Sequence, residues 1–342
     1  ATYTVFNANA TPDGTDPTWL PRPASRYWYY RGSITNDADD WLFTPMFRLE
    51  GGKYYQVEFT AQSTPSHNTE RLEVFYGNDT TVAAMTTRLT DTLSYSNNES
   101  RTTTAYLYAP VSGRYSIGFH CVSLKNQYTL LLRTLKVSAG MDRDVPDTAD
   151  VSVTPAPLGV LSATLRVVPP AKTMGGDPLA EITSCKVVNS TTGKTICEKS
   201  YDGTAATFSV IDSLPRNGFN DYVVPFGNSH GQGRPLTIRR YVGLDTPVSV
   251  TNLKFNQEGL DAVLSWDKVP SVGRNGGYVD PDSVTYRIVL QRPDVQVVAT
   301  KVRGTTYTDT QWRDKLAHGQ QNLCYAVFAQ NAAGMGEGTL SP

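Results

Sequence analysis

DYVVPFGNSHGQG (221–233) and CYAVFAQNAAGMG (324–336) are one pattern written twice. Tyr222 and Tyr325 lead. Val224 and Val327 follow two positions on, Asn228 and Asn331 six on, Gly231 and Gly334 nine on, and Gly233 and Gly336 eleven on. Self-similarity in register marks one structural unit used more than once. Upstream of each copy runs an alternating stretch that ends in proline, LSATLRVVPP (161–170) and LDAVLSWDKVP (260–270). The repeated unit is therefore about 100 residues long, an ordinary domain size.

A unit of that length made of short alternating strands can bury one face of every strand only by stacking two sheets about 10 Å apart. The tyrosine heading the penultimate strand suits a corner where its ring packs inside and its hydroxyl bonds backbone. The asparagine and the two glycines then build the hairpin into the last strand, where positive φ is cheap. These residues resemble the fibronectin type III domain. The second copy also carries that family's early-strand tryptophan, Trp266, and a tyrosine on the next core strand, Tyr286. The first copy departs from the pattern: Val167 stands where the tryptophan belongs. The copies are placed at 146–245 and 246–342, joined by YVGLDTP (241–247), whose brevity and Pro247 predict a stiff connection.

Period-two alternation continues through the rest of the chain, in KYYQVEFTA (53–61), RLEVFYG (71–77), GRYSIGFHC (113–121), QYTLLLRTLKV (127–137) and VTYRIVLQ (284–291). No long stretch sustains an apolar helical stripe, although MTTRLTDTL (85–93) leaves room for a helical turn or two. The fold class expected is all-β. Residues 1–142 form a unit unlike the repeats, containing DDWLFTP (39–45), the strand at 53–61, a second strand at 71–77, a polar region at 78–104 and a closing strand pair. This order resembles the jelly-roll domains of the cleaved-adhesin and MAM-like group found in secreted bacterial surface proteins. The whole is thus expected to be a jelly-roll sandwich followed by two fibronectin type III-like sandwiches in tandem.

Composition narrows the function classes. Lys and Arg number 31 against 32 Asp and Glu, a net charge of −1, so nothing steers the chain as a whole toward a polyanion and no nucleic-acid partner is expected. The longest apolar run falls far short of the ~20 residues that span a bilayer. The chain begins at Ala1 without an apolar leader, as a processed secreted protein or an excised fragment does. Cys121, Cys185, Cys197 and Cys324 lack metal-knuckle spacing. Cys185 and Cys197 flank the turn-like NSTTGK and are either a disulfide across a hairpin or two independent thiols.

Catalytic chemistry is poorly represented. His67, His120, His230 and His318 are scattered, no HExxH, GxSxG, Walker or CxxC pattern occurs, and Glu50, Glu58, Glu70 and Glu73 read as strand residues facing solvent. The stretch NDADDWLFTPMF (36–47) is a carboxylate site or a loop entering a sheet; the abrupt change from acids to Trp41-Leu42-Phe43 favours a turn feeding a core strand. Asp13, Asp16, Asp37, Asp39 and Asp40 are candidate ligands for a structural calcium, the cation that the jelly-roll resemblance implies and that several loop oxygens would suit. In SRYWYYRG (25–32), Tyr27, Trp28, Tyr29 and Tyr30 lie between two arginines with Trp19 nearby, a set of flat faces suited to sugar rings or protein hot spots. Strand alternation sends at least half of them into the core.

The expected protein is a non-enzymatic, monomeric, secreted or cell-surface binding protein. Its first domain would recognise an extracellular protein or glycan, and its repeats would act as spacers. The alternative is a carbohydrate-binding or spacer region of a larger secreted glycosidase or protease.

Overall fold

The computed structural model describes residues 2–10, 18–64, 69–96, 98, 100–314 and 322–342. The chain divides into two compact units, Ala1–Val145 with Thr173–Asp177, and Pro146–Lys172 with Pro178–Pro342. Both are all-β, as the alternation predicts.

The first unit is a pair of sheets. One runs β1 (Thr4–Asn7), β4 (Asp40–Phe43), β11 (Gly113–Cys121), β7 (Thr69–Gly77), β8 (Thr87–Arg88), with β5 (Phe47–Leu49) on β11 and β9 (Leu93–Ser96) on β7. The other runs β10 (Ser100–Ala109), β6 (Lys53–Ser63), β12 (Thr129–Val137), β3 (Tyr27–Arg31), β2 (Trp19–Arg22), with β13 (Met141–Asp142) on β6. The inward positions of these strands, among them Val57, Phe59, Leu72, Val74, Ile117, Phe119, Leu130 and Leu132, close into one core. Removing a side chain such as Phe59 from water contributes about 2–3 kcal/mol.

Trp41-Leu42-Phe43 is apolar throughout because β4 is covered on both faces. Leu42 points into the main core, while Trp41 and Phe43 pack with Met85 and Phe75 in a second cluster. The segment 85–93 takes no helical turn; it contributes Met85 to that cover and then pairs as β8, preceded by a short 3-10 turn at Val82–Ala84. The β4 ladder stops before Pro45, which has no N–H to continue it. Thr44 Oγ1 accepts the Ile117 N–H at 2.9 Å and Ser116 Oγ donates to Thr44 O at 2.9 Å, so side chains bridge the gap until β5 resumes pairing with β11.

The second unit holds two sandwiches. The earlier stacks a sheet of β14 (Asp150–Pro155), β15 (Ala163–Val168) and β18 (Phe208–Asp212) on one ordered β21 (Gly231–Gln232), β20 (Phe226–Asn228), β16 (Ile182–Asn189), β19 (Gly218–Val224), β22 (Leu236–Val242), with β17 (Lys194–Gly203) on β16. The later stacks β23 (Lys254–Glu258), β24 (Asp261–Ser265) and β27 (Thr306–Asp309) on β26 (Gln296–Val302), β25 (Thr285–Arg292), β28 (Cys324–Asn331), β29 (Gly334–Met335), with β30 (Thr339–Leu340) on β28. Each sandwich has its own core. Trp266 meets Tyr286 edge-on at 5.0 Å, and the buried Val167 fills the matching place in the earlier copy.

The repeated stretches occupy equivalent hairpins, Asn228 opposite Gly231 and Asn331 opposite Gly334. The two glycines of each copy do different work. Gly231 and Gly334 have positive φ, 129° and 147°. Gly233 and Gly336 are needed because a Cβ would strike the backbone carbonyl of Pro146 or Pro247. The tyrosine corner also differs from expectation. The hydroxyl of Tyr222 donates to the Asp212 carboxylate at 3.3 Å and that of Tyr325 to Asp309 at 2.8 Å, rather than to backbone. Both carboxylates are buried at strand ends and need donors there. Cys185 and Cys197 are free thiols: the register sets Cys197 against Val187 and Cys185 against Lys199, and burial pushes the Cys185 thiol up to about 12.

The connector is held from both sides within this unit. Leu244 N donates to Asn217 Oδ1 at 2.7 Å, and Asp245 N donates to Tyr278 O at 2.7 Å. The buried Asp245 carboxylate accepts from Asn275 N (2.6 Å), Asn275 Nδ2 (2.8 Å), Gly277 N (3.1 Å) and Thr246 N (2.7 Å).

Candidate functional site

The acids proposed as calcium ligands do not converge where the structure describes them. Asp37 Oδ1 accepts the Lys125 N–H at 2.8 Å, which anchors a loop. Asp39 Oδ1 lies 2.7 Å from His120 Nε2 on the outer face of the first sheet. Asp40 is buried, its carbonyl accepting from Trp19 Nε1 at 3.2 Å. Asp37 and Asp39 precede β4 in the loop, where each is taken up by a separate partner, whereas Asp40 opens the strand and is buried with it. Asp13 and Asp16, like His67 and His318, lie outside the described residues. His120 is enclosed by its neighbours: its ring stacks on Trp41 at 4.1 Å, and Glu73 stands 3.8 Å from Nδ1. Asn189 of the NST triplet at 189–191 is buried, donating to Asp212 at 2.8 Å and to Asn220 at 3.0 Å, so it is no surface modification site. Glu70 is also buried, contrary to its reading as a solvent-facing residue.

The aromatic stretch divides by face. Trp19 and Tyr30 are core residues with 1% of their surface exposed, their rings 6.0 Å apart, and they offer nothing to a ligand. The β2–β3 register places them opposite each other on the inner face. Tyr27 and Tyr29 face outward from the second sheet, half-buried. Trp28 turns inward at the sheet margin, 5.2 Å from the Tyr3 ring.

At this margin β3 begins while β12 runs on past it, which opens a groove of about 260 Å³. Tyr3, Trp28 and Leu135 give it an apolar floor; Tyr27, Arg22, Arg26 and Arg133 stand around it. Local structure aims each arginine. Arg22 ends β2 opposite Tyr27, stacks on the Tyr29 ring at 4.6 Å and donates from Nη2 to the Tyr29 hydroxyl at 3.2 Å. Arg26 closes the turn after Pro23–Ser25 in the left-handed conformation, φ 56° and ψ 43°. Arg133 is the extra residue at a bulge between β12 and β6, and bulges re-aim side chains. Its guanidinium lies 5.5 Å from the Tyr27 ring and donates from Nε to Gln62 Oε1 at 2.7 Å, while Gln62 Nε2 donates to Asn98 Oδ1 at 2.8 Å. Beside it a hydroxyl ladder crosses three strands, Thr134 to Thr60 and Thr60 to Thr102, both at 2.8 Å.

An apolar aromatic floor with a few oriented polar groups is the ordinary make-up of a small-molecule or sugar site. Of its residues, sequence reasoning named Tyr27 and Trp28 and noted the arginine beside them, Arg26. It missed Arg22 and Arg133. A Pro-Arg-Pro run before the aromatic stretch was the available signal for Arg22; a bulge leaves none for Arg133.

No family model matches this chain, and neither does any curated protein. Among solved structures, it is similar to the K3 cleaved adhesin domain of Lys-gingipain from Porphyromonas gingivalis W83, at 13% identity over 40% of this chain and 91% of that one, TM-score 0.33. A CBM4 structure matches at 16% identity over 40% of this chain and 85% of its own, TM-score 0.31. A β-glucuronidase from Ruminococcus gnavus matches at 12% identity over 67% of this chain and 38% of its own, TM-score 0.31. At TM-scores below 0.5 none of these likenesses carries weight for function, which is read below from this chain's own geometry.

Proposed function

We propose that this chain is a non-enzymatic binding protein that acts outside the cell. Its first unit, read as a jelly roll, would take a glycan in the groove between the β2–β3 turn and the β12 bulge. The two sandwiches that follow, read as fibronectin type III domains at 146–245 and 246–342, would serve as spacers. The observation that carries the reading is the groove itself: an aromatic floor of Tyr3 and Trp28 beside the outward Tyr27 ring, with Tyr27 and Trp28 held on β3, continuous with guanidinium and hydroxyl donors that match sugar oxygens. Strand-borne sites lose little order on binding, which favours recognition of flexible sugars.

A glycan array followed by calorimetry on the best hit tests this. Tyr27→Ala should weaken binding at least about tenfold, roughly 1.4 kcal/mol, with the fold intact by circular dichroism. Undiminished binding in both Tyr27→Ala and Trp28→Ala variants would move the site elsewhere, and a pull-down that captures only proteins would replace the sugar with a protein partner.

A further inference from the structure

Three arginines around one groove call for an explanation that a neutral sugar does not supply. Arg22, Arg26 and Arg133 are all exposed, and among the described residues none of them makes an ion pair. This sets them apart from Arg88, Arg143, Arg274 and Arg313, each of which lies within 3 Å of a carboxylate. Like charges gathered without counter-charge repel one another, a cost that an incoming anion removes.

Two of the three guanidiniums are already oriented. Arg22 is fixed by ring stacking and by the Tyr29 hydroxyl, Arg133 by Gln62 through Nε, and neither partner is charged, so both arginines keep their full positive field. Holding Nε leaves the terminal amino groups of Arg133 as the edge that meets a ligand. Arg26 occupies a left-handed backbone position that glycine or asparagine fills at lower cost, so an arginine there runs against local backbone preference. A planar guanidinium fork matches the paired oxygens of carboxylate or sulfate in two parallel hydrogen bonds.

We propose that this groove selects an acidic glycan, a polysaccharide whose sugar units carry carboxylate or sulfate. The sugar ring lies against Tyr27 and the Trp28–Tyr3 floor, and its anionic substituent is received by Arg22, Arg26 and Arg133. The inference rests on the glycan-binding role proposed above for the same groove and adds its charge preference.

Calorimetry of the full chain in 0.15 M salt with dextran, dextran sulfate and hyaluronan, which bears carboxylate without sulfate, tests it. The expected result is at least tenfold tighter binding of an acidic polymer than of dextran. A preference for dextran sulfate or for hyaluronan assigns the anion as sulfate or as carboxylate. Arg22→Gln and Arg133→Gln should each lose at least fivefold for the acidic polymer, whereas Arg240→Gln, on the second unit, should change nothing. Arg26→Gly separates recognition from folding: it relieves the backbone strain, so Tm should hold or rise while acidic-glycan affinity falls. Three results would overturn the inference: equal binding of dextran, acidic-polymer binding untouched by the three variants, or equal loss in Arg240→Gln, which would mark diffuse charge attraction. The binding role survives each of them if Tyr27→Ala still weakens a glycan. Absence of binding to any glycan, neutral or acidic, ends both.

Discussion

Single buried polar groups hold the first unit's loops in place, and Glu70 shows how. It lies on β7 with 1% of its surface exposed; Ser123 Oγ donates to Oε2 at 2.6 Å and Tyr128 N donates to Oε1 at 2.8 Å, so one carboxylate ties down the turn before β12. Burial raises its pKa above the ordinary value, and the two hydrogen bonds oppose that rise. A folded pKa above the unfolded one, about 4.3, means the folded state binds its proton more tightly. The contribution is therefore full below the unfolded value and is lost as pH rises through the folded one. Glu70→Gln keeps the shape and should flatten that part of the stability–pH curve, as read by urea melts between pH 4 and pH 8. Glu70→Ala strands both donors and should cost about 2–3 kcal/mol at either pH. An unchanged pH slope in the glutamine variant would show that Glu70 titrates normally.

Strands and turns were legible in proportion to how local their causes are. Alternating apolar positions located β6, β7, β11 and β12 directly, because burial of one face writes itself into every second residue. The ten-residue β10 was hidden in a Ser/Thr/Asn-rich region, since its first five residues, SRTTT (100–104), are all polar and its buried positions begin only at Ala105. The break between β4 and β5 was visible as Thr44-Pro45, but its repair was not. Thr44 replaces a missing ladder bond with its own hydroxyl, which depends on Ile117 and Ser116 standing opposite. Thr44→Val conserves shape and deletes the acceptor for a buried N–H; it should lower stability by about 1–3 kcal/mol in chemical denaturation. A loss below a few tenths of that would mean water fills the place of the hydroxyl.

Across the second unit the repeat is deeper than its letters. Asp212 and Asp309 receive the two corner tyrosines, yet they stand at different distances before them in sequence, so a comparison without gaps passes over the pair. The connector follows the same lesson. Its brevity predicted stiffness, while its hold comes from the Asp245 carboxylate reading the turn at 273–277. Burial would raise that carboxyl, but the hydrogen bonds from Asn275, Gly277 and Thr246 prevail and keep it below the ordinary value. A depressed folded pKa contributes stability above the unfolded value of about 3.9 and loses it as pH falls through the folded one. Asp245→Ala should destabilise the second unit by about 3 kcal/mol at pH 7, and by less as the pH approaches 3, as scanning calorimetry would register. Equal losses at both pH values would deny the carboxylate its charged role.

The all-β class, the repeated hairpins and the faces of most strands are read from the chain alone, because alternation and turn chemistry act between residues a few positions apart. The candidate ligands fared differently for the same reason. Adjacency in sequence gathered Asp37, Asp39 and Asp40, but Lys125 N, His120 and the buried start of β4 each claim one of them, while alternation along β2 and β3 drew Trp19 and Tyr30 inside. The groove belongs to the tertiary structure: Arg22 and Arg26 meet Arg133 only because β12 pairs with β3 and bulges where β3 begins, a juxtaposition that long-range strand pairing creates and no local pattern encodes.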